Sequence, residues 1–370
     1  MEDEAVAMET KPSSRKGQQR ASDAIQRKPN KHTTKTGEGV TTSTGDGVAP
    51  QRTPFRSEAK KHDSPYSLSA GDCQAWKPNS REFKAMGCRH RLPQAMIVGV
   101  KKCGTTMLRK FMAHHPAVSM VPGETPYPSS KYLNQQGIHS WRQKMTYSTP
   151  AQLTITEAPS YLSFPLISMK RLKAYLPPNT KVIVIIKDAV ERAISDYVHV
   201  LTVLESLGVI SLPLSAHNPL RLTGKFNFVR ETFKKTVINK TTRGVKENSI
   251  ISHGRYVEGL RKLASVYGRD HLLVIDGKAF IDDPLPIMWQ VERFLDLPAF
   301  FQKGHFNYNS ETGFYCESFP LGSEPVCPNP RFKGRKHPII ANNTLAILRR
   351  YYKPFNQQLK DEFGVSFPWL

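Results

Sequence analysis

Pro93-Gln94-Ala95-Met96-Ile97-Val98-Gly99-Val100 runs directly into Lys101-Lys102-Cys103-Gly104-Thr105-Thr106. The first stretch is short, apolar and opened by proline, which is typical of a buried strand. The second stretch interrupts it with glycine and small polar residues, and residues 107–112 then place apolar side chains at helical spacing. This part of the chain therefore predicts a strand, a tight loop and a helix.

Two more apolar runs predict strands of the same sheet. Residues 181–186 form a continuous, largely β-branched run, and residues 271–276 form another. Helical patterns accompany them over 189–204, 257–266, 286–295 and 341–352. Strands that alternate with helices predict an α/β domain built on a parallel sheet. Residues 205–250 are polar and irregular, so we expect a surface insertion there.

The charge of the chain is strongly basic and unevenly placed. Its 370 residues carry a net charge of +22. Residues 1–65 hold twelve basic and nine acidic residues, a net of +3, so the other 305 residues carry +19. The tail is rich in Thr, Ser, Lys, Gly and Pro, which predicts disorder. We expect a linker over 66–91 and one folded domain over 92–370. Because the basic excess belongs to the folded part, it favours a surface that binds a polyanionic partner over a mere basic arm, and the alternative is a solubilising charged surface.

Several classes of protein are excluded by composition. No stretch approaches the roughly 18 apolar residues of a membrane span, which excludes a polytopic membrane protein. Five cysteines in 370 residues exclude a disulfide-dense miniprotein. The acidic start Met1-Glu2-Asp3-Glu4 has no apolar run after it, so we expect no signal peptide or membrane segment in the chain as given. The protein is then either cytosolic or a form that lacks its anchor.

The loop after the first strand has the features of an anion site. A glycine loop that leads into a helix presents backbone N–H groups to a phosphate, and Lys102 adds a positive charge. Thr105 and Thr106 add hydroxyl donors. The Walker A pattern is absent, which argues against a nucleotide kinase. The alternative is an ordinary strand–helix turn with a solvated lysine.

A second anion site is predicted at the end of the strand over 181–186. Lys187 follows this strand, and Ser195 lies on the same face of the next helix as Glu191 and Lys187, at spacings of four and eight. Ligands of open α/β sheets bind at the carboxyl ends of strands. Two such loops predict one ligand with two anionic ends, whereas the alternative is a common helix face with i,i+4 pairs.

These motifs resemble those of a known family. Residues 93–106 resemble the 5′-phosphosulfate loop of Golgi carbohydrate sulfotransferases, and residues 184–197 resemble their 3′-phosphate element. Residues 313–338 and 351–356 are similar to the C-terminal part of heparan sulfate sulfotransferases. The resemblance covers roughly 92–370 and is nearest to the heparan sulfate glucosamine 3-O-sulfotransferases. N-sulfotransferase domains are similar too, around residues 273–278.

The resemblance implies a single P-loop-like α/β sulfotransferase domain, with one parallel sheet and helices on both faces. It implies 3′-phosphoadenosine 5′-phosphosulfate as sulfate donor, heparan sulfate as acceptor, no metal and a Golgi lumenal location. Glu124 is then the catalytic base, and Lys102 stabilises the leaving phosphate. The donor-binding residues implied are Lys102, Cys103, Gly104, Thr105, Thr106, Lys187, Ser195, Lys333, Gly334, Arg335, Lys336 and His337. The acceptor-binding residues implied are Glu124, Glu157, Ala158, Pro159, Ser160, Asn248 and Ser249.

The chain departs from the family pattern mainly on the acceptor side. Pro126 and Ser129 stand where the family has a histidine and an acidic residue, and Glu157 takes the place of a lysine. Lys187 replaces an arginine, which loses bidentate phosphate geometry, and Cys103 replaces a glycine. We expect intact donor binding. The acceptor stays open between glucosamine 3-O-sulfation, N-sulfation, another glycosaminoglycan, and a catalytically weak heparin-binding relative.

Smaller features fit passage through an oxidising lumen. The family forms a disulfide at the positions of Cys316 and Cys327, and the alternative is two buried thiols. Cys73 and Cys88 could pair, and Cys103 is expected to be free. Glycosylation sequons begin at Asn239 and Asn342. No Cys or His spacing suggests a metal, and no zinc-finger or RNP-type pattern suggests nucleic acid as a partner.

Overall fold

The run Ala95–Gly99 is the middle strand of a five-stranded sheet in the computed structural model. The structure describes residues 64–125, 127–128, 130–206, 233–311, 313–327 and 337–370. The predicted disordered tail therefore lies almost wholly outside the described residues. So do Pro126, Ser129 and the predicted donor-binding residues Lys333, Gly334, Arg335 and Lys336.

The central sheet is entirely parallel, with strand order β3-β5-β2-β6-β7. The strands are β1 Arg89–His90, β2 Ala95–Gly99, β3 Val118–Glu124, β4 Tyr147–Ser148, β5 Leu153–Glu157, β6 Lys181–Ile186, β7 Leu272–Asp276, β8 Phe306–Asn309 and β9 Phe314–Glu317. Short antiparallel pairs join β1 to β4 and β8 to β9. The three strands predicted from apolar runs are confirmed, and β3 and β5 complete one side of the sheet.

Helices connect successive strands of the sheet. They are α1 Arg81–Ala85, α2 Thr105–Ala113, α3 Ser130–Arg142, α4 Leu166–Lys173, α5 Ala189–Ser206, α6 Phe233–Val237, α7 Ser249–Ser252, α8 Tyr256–Tyr267, α9 Gly277–Asp282, α10 Pro284–Phe294 and α11 Asn342–Phe363. The four predicted helical segments correspond to α5, α8, α10 and α11. Within the predicted insertion, residues 207–232 lie outside the described part of the chain, whereas α6 and α7 are described.

Both faces of the sheet are covered. Every residue of β2 and β5 is buried, and so are five of the six residues of β6. Because successive side chains of a strand point to opposite faces, this pattern requires packing on each side. The predicted α/β class, a parallel sheet between helices, is thereby confirmed.

Two disulfide bonds cross-link the chain near the start and near the end of the described residues. Cys316 and Cys327 are bonded, as the resemblance implies, and close the β8–β9 hairpin onto the chain that follows it. Cys73 and Cys88 are also bonded, around α1, so residues 66–91 contain ordered elements that pack on the Tyr147 ring. Cys103 is free and buried, as expected. Among the described helices, none is long and apolar enough to cross a membrane.

Candidate active site

A cleft of about 580 Å³ opens at the carboxyl edge of the sheet. Its walls come from the loop after β2, from the ends of β3 and β5, from the start of α5 and from α9. The lining residues that the sequence predicts are Lys102, Gly104, Thr105, Thr106, Glu124, Pro159, Lys187, Ser195 and His337. Segments far apart in the sequence therefore meet in one cavity, as the rule for parallel sheets requires.

The loop between β2 and α2 leaves a helix N-terminus open to the cleft. Gly104 is the N-cap of α2, has a φ of +114° and provides no side-chain cap. Lys102 adopts a φ of +76°, a left-handed conformation that costs a non-glycine residue energy and is common at functional sites. The first N–H groups of α2, with the helix dipole, can therefore bind an anion beside the Lys102 side chain.

Gly277 packs against the loop after β2, a role that the sequence analysis did not identify. It begins α9, directly after β7. A Cβ atom on Gly277 would lie 2.6 Å from the carbonyl oxygen of Cys103 and 3.0 Å from that of Ile186. Glycine thus lets the β7–α9 turn press against the loop that carries Lys102. The signal was a glycine right after an apolar strand, which is often a point of close approach.

The second predicted anion site lies across the cleft. Lys187 follows β6, and its backbone carbonyl accepts a hydrogen bond of 2.9 Å from the Tyr256 hydroxyl. Ser195 lines the same cleft from α5. The pKa of His337 lies below its usual value because the side chain is partly desolvated and the Lys187 ammonium lies nearby. His337 thus belongs to the same corner of the cleft as Lys187.

An ion-pair network joins the two halves of the site. Lys101, in the loop after β2, lies 3.1 Å from the Asp196 carboxylate on α5, and the fully buried Arg192 lies 3.0 Å from its other oxygen. Burial alone would raise the pKa of Asp196, but Arg192 and Lys101 hold it below its usual value. The network sets the spacing between the loop and α5, and sequence reasoning did not identify it.

The predicted acceptor side is formed by carboxylates, whereas the two predicted anion sites are formed around lysines. Glu124 ends β3, is exposed and lines the cleft. Its register partner on β5 is Glu157, which is fully buried and whose carboxylate accepts a 2.7 Å hydrogen bond from Arg109. Glu157 does not line the cleft. Its pKa is raised, chiefly by burial and in part by the Glu124 charge, while Thr105 and Arg109 oppose the rise.

The other residues predicted to bind the acceptor are spread over two regions. Ala158 is buried, Pro159 lines the cleft and Ser160 is exposed beside it. Asn248 caps α7 by accepting from the Ile251 N–H and donates to the carbonyl of Thr236. Neither Asn248 nor the exposed Ser249 lines the cleft.

Aromatic and apolar residues form the remaining wall. They are Met107, Phe111, Val198, Phe280, Ile281, Pro284, Phe314 and Tyr315, with His199 beside them. A pocket with apolar walls and a few convergent polar groups is the usual form of a small-molecule site. Sequence reasoning placed the residues of α2 and α5 only in helical patterns, and those of β9 only in the resemblance. Nothing local marks Phe280, Ile281 and Pro284, which come from α9 and the start of α10. Among the described residues, no cluster of His, Cys, Asp and Glu could hold a metal ion.

Comparison with known proteins identifies the family. Residues 92–321 match the model of the sulfotransferase domain, which is more than half of the chain. The chain belongs to the sulfotransferase family. The match covers β2 to the β8–β9 hairpin, and with it most of the cleft.

Several relatives of this sulfotransferase are known enzymes. Human heparan sulfate glucosamine 3-O-sulfotransferase 3B1 is 30% identical over 327 residues, which is 87% of this chain and 76% of the relative. Human heparan sulfate glucosamine 3-O-sulfotransferase 5 is 28% identical over 75% of this chain and 74% of its own. A sulfotransferase structure from Alicyclobacillus acidocaldarius aligns with a TM-score of 0.49 at 16% identity, over 75% of this chain and 99% of that one. The protein is a sulfotransferase enzyme.

Proposed function

We propose that this sulfotransferase moves a sulfuryl group from 3′-phosphoadenosine 5′-phosphosulfate to the 3-hydroxyl of a glucosamine residue in heparan sulfate. The observation that carries the proposal is one cleft lined by Lys102, Lys187, Ser195 and Glu124. It offers two cationic corners for a doubly anionic donor and a carboxylate for an acceptor hydroxyl. The names of the relatives support the glycan and the position.

The donor fits the cleft by charge and by shape. Its 5′-phosphosulfate would lie at the open N-terminus of α2, held by Lys102 and the Thr105 and Thr106 hydroxyls. Its 3′-phosphate would bind Lys187 and Ser195, and the apolar wall would take the adenine. Lys333, Gly334, Arg335 and Lys336 are proposed to complete this site with His337, and Cys103 lies buried beneath it.

Sulfuryl transfer is an in-line displacement, so positioning and charge stabilisation dominate its catalysis. The acceptor oxygen forms a bond to sulfur while the bond from sulfur to the 5′-phosphate oxygen breaks. Lys102 would stabilise the negative charge that develops on this leaving oxygen. Glu124 would take the proton of the acceptor hydroxyl, as a general base on the opposite wall of the cleft. The products are the sulfated glycan and 3′-phosphoadenosine 5′-phosphate.

The surface suits a polyanionic acceptor. Residues 92–370 carry a net charge of +16 out of the total of +22, and Lys234, Lys235, Lys240 and Arg243 are exposed in and after α6. Such a field attracts acidic glycans and weakens as salt rises. A Golgi lumenal location accords with the two disulfides, which persist in oxidising compartments.

A lumenal location would also expose the two predicted sequons to glycosylation, which we propose for both. Asn239 is exposed in a turn, where its side chain accepts hydrogen bonds from the N–H groups of Thr241 and Thr242. Asn342 is the exposed first residue of α11. Both positions can therefore carry a glycan without disturbing the core.

The test of the proposed function is a transfer assay with radiolabelled donor. Heparan sulfate, chondroitin sulfate and N-desulfated heparan sulfate are offered as acceptors, and the labelled position is mapped after enzymatic digestion. We expect label on the glucosamine 3-hydroxyl of heparan sulfate. Label on nitrogen or on a galactosaminoglycan would assign another acceptor, and heparin binding without transfer would indicate a binding protein.

The two cationic corners make a separate prediction about nucleotide binding. Lys187→Ala and Ser195→Ala should each weaken binding of 3′-phosphoadenosine 5′-phosphate, because each removes a partner of the 3′-phosphate. Binding of the analogue that lacks the 3′-phosphate should change little. Calorimetry of both nucleotides measures the difference, with Lys278→Ala, an exposed lysine paired with Asp282, as control. Equal losses for the two nucleotides would remove the 3′-phosphate from this corner.

A further inference from the structure

A buried ion pair lies beneath the loop that carries Lys102. The Glu157 carboxylate, fully buried at the end of β5, accepts from Nε of Arg109 at 2.7 Å. The Arg109 side chain is 18% exposed, whereas the Glu157 side chain has no exposed surface. Glu157 is not among the described residues that line the cleft. Its reversed charge relative to the family is thus neutralised inside the protein.

The pair connects three parts of the site. Thr105 and Arg109 lie one helical turn apart on α2, so both face β5 from the same side of the helix. Arg109 donates from Nε to Oε2 of Glu157, and the Thr105 side chain lies close enough to oppose the rise in the pKa of this carboxyl, whose Oε1 is buried without a hydrogen-bond partner. Glu157 in turn is the register partner of Glu124, the proposed base. One carboxylate therefore links the start of α2 to the strand end on the acceptor side.

This arrangement costs stability, which points to a role in activity. Burial raises the pKa of Glu157 above its usual value even though Arg109 and Thr105 oppose the rise. A raised carboxyl pKa means that the folded state disfavours the charge, so stability falls as pH rises through the shifted pKa. Replacing both partners of a buried ion pair with apolar residues is often neutral or stabilising, whereas removing only one partner is destabilising because the other charge is left uncompensated.

We propose that Glu157 is a positioning residue for sulfuryl transfer, which holds the first turn of α2 and the Lys102 loop in place through Arg109 and Thr105. The proposal rests on the proposed function of the loop in donor binding. It replaces direct contact with the acceptor, which the resemblance implies for this position. Glu157 then acts on the reaction through the placement of Thr105 and Lys102, which touch the donor.

The decisive variant is Glu157→Leu, which keeps the approximate volume and removes both anchors of α2. Misplacing reacting groups by about 1 Å can cost roughly 10²-fold in rate, so we expect kcat/KM for the donor to fall by about 10–10²-fold. The KM for the glycan should stay unchanged, because Glu157 does not contact it. The melting temperature should fall, because Arg109 loses its partner, whereas Glu157→Leu combined with Arg109→Leu should recover it without recovering the rate. Glu157→Gln, which can still accept from Arg109, should recover most of the activity.

The control is Glu362→Leu, the same substitution in the exposed pair of Glu362 with Arg261, which joins α8 to α11 outside the cleft. It should leave all kinetic constants unchanged. Full activity of Glu157→Leu would overturn the proposal. A changed glycan KM would also overturn it in favour of acceptor contact, and activity that returns together with the melting temperature in the double variant would reduce the pair to a structural role. If the wild-type protein transfers no sulfate at all, the proposed function fails instead.

Discussion

Lys102→Ala is expected to lower the kcat of sulfuryl transfer by about 10²–10³-fold, the usual effect of removing one preorganised charge at a transition state. Lys102 lines the cleft two residues before the N-cap of α2. The leaving phosphate oxygen of the donor would gain negative charge at this helix N-terminus. The loss should appear mainly in kcat, because the charge on that oxygen grows as the bond to sulfur breaks. Steady-state kinetics with saturating glycan measures it.

The backbone conformation of Lys102 allows the effect of its charge to be measured separately from a change in the loop. Lys102 has a φ of +76°, and alanine pays the same steric cost there as lysine, so the substitution changes the charge without relaxing the loop. Lys102→Arg, which keeps the charge, should retain part of the activity. Lys110→Ala serves as control because Lys110 lies on α2 but pairs with Glu317 outside the cleft. Wild-type turnover in Lys102→Ala would remove Lys102 from the reaction.

Much of the donor side could be predicted from sequence because its signals are local. A buried strand followed by a glycine loop and a helix predicts an anion site from 14 adjacent residues, 93–106. The second corner follows from the strand end at Lys187 and the helical spacing to Ser195. The rule that parallel strands present their carboxyl ends together then brings both into one cleft. The structure places Lys102, Lys187 and Ser195 in that cleft.

The acceptor side could not be predicted in the same way, because its features depend on contacts between residues far apart in the sequence. β3 contains Pro122 and Gly123 before its last residue, Glu124, and β5 has the sequence Leu-Thr-Ile-Thr-Glu, so neither resembles an apolar run although β5 is fully buried. A buried Glu157 becomes understandable only when Arg109, 48 residues earlier, is seen to pair with it. The Cys73–Cys88 bond and the Asp196 network depend likewise on tertiary contacts that no spacing reveals.

Glu124→Gln is expected to lower turnover by about 10²–10⁴-fold, the range for loss of a general base. The amide keeps the shape of the side chain and cannot take the proton of an acceptor hydroxyl at neutral pH. Glu124 ends β3 and lines the cleft apart from the residues proposed to hold the two phosphates, so affinity for 3′-phosphoadenosine 5′-phosphate should barely change. Affinity for heparan sulfate should hold or rise slightly, because a negative charge leaves a site for a polyanion. Transfer assays and calorimetry with both ligands measure these three quantities.

The pattern of the three results separates enzyme from binding protein. Glu82→Gln is the matched control, since Glu82 is an exposed carboxylate on α1, away from the cleft. Turnover that persists in Glu124→Gln would refute the role of Glu124 as base and point to another proton acceptor near the Lys102 loop. Glycan binding without turnover in either form would mean that the fold and the basic surface serve binding alone. A selective loss of turnover, with both affinities retained, requires a carboxylate that acts only on the reacting hydroxyl.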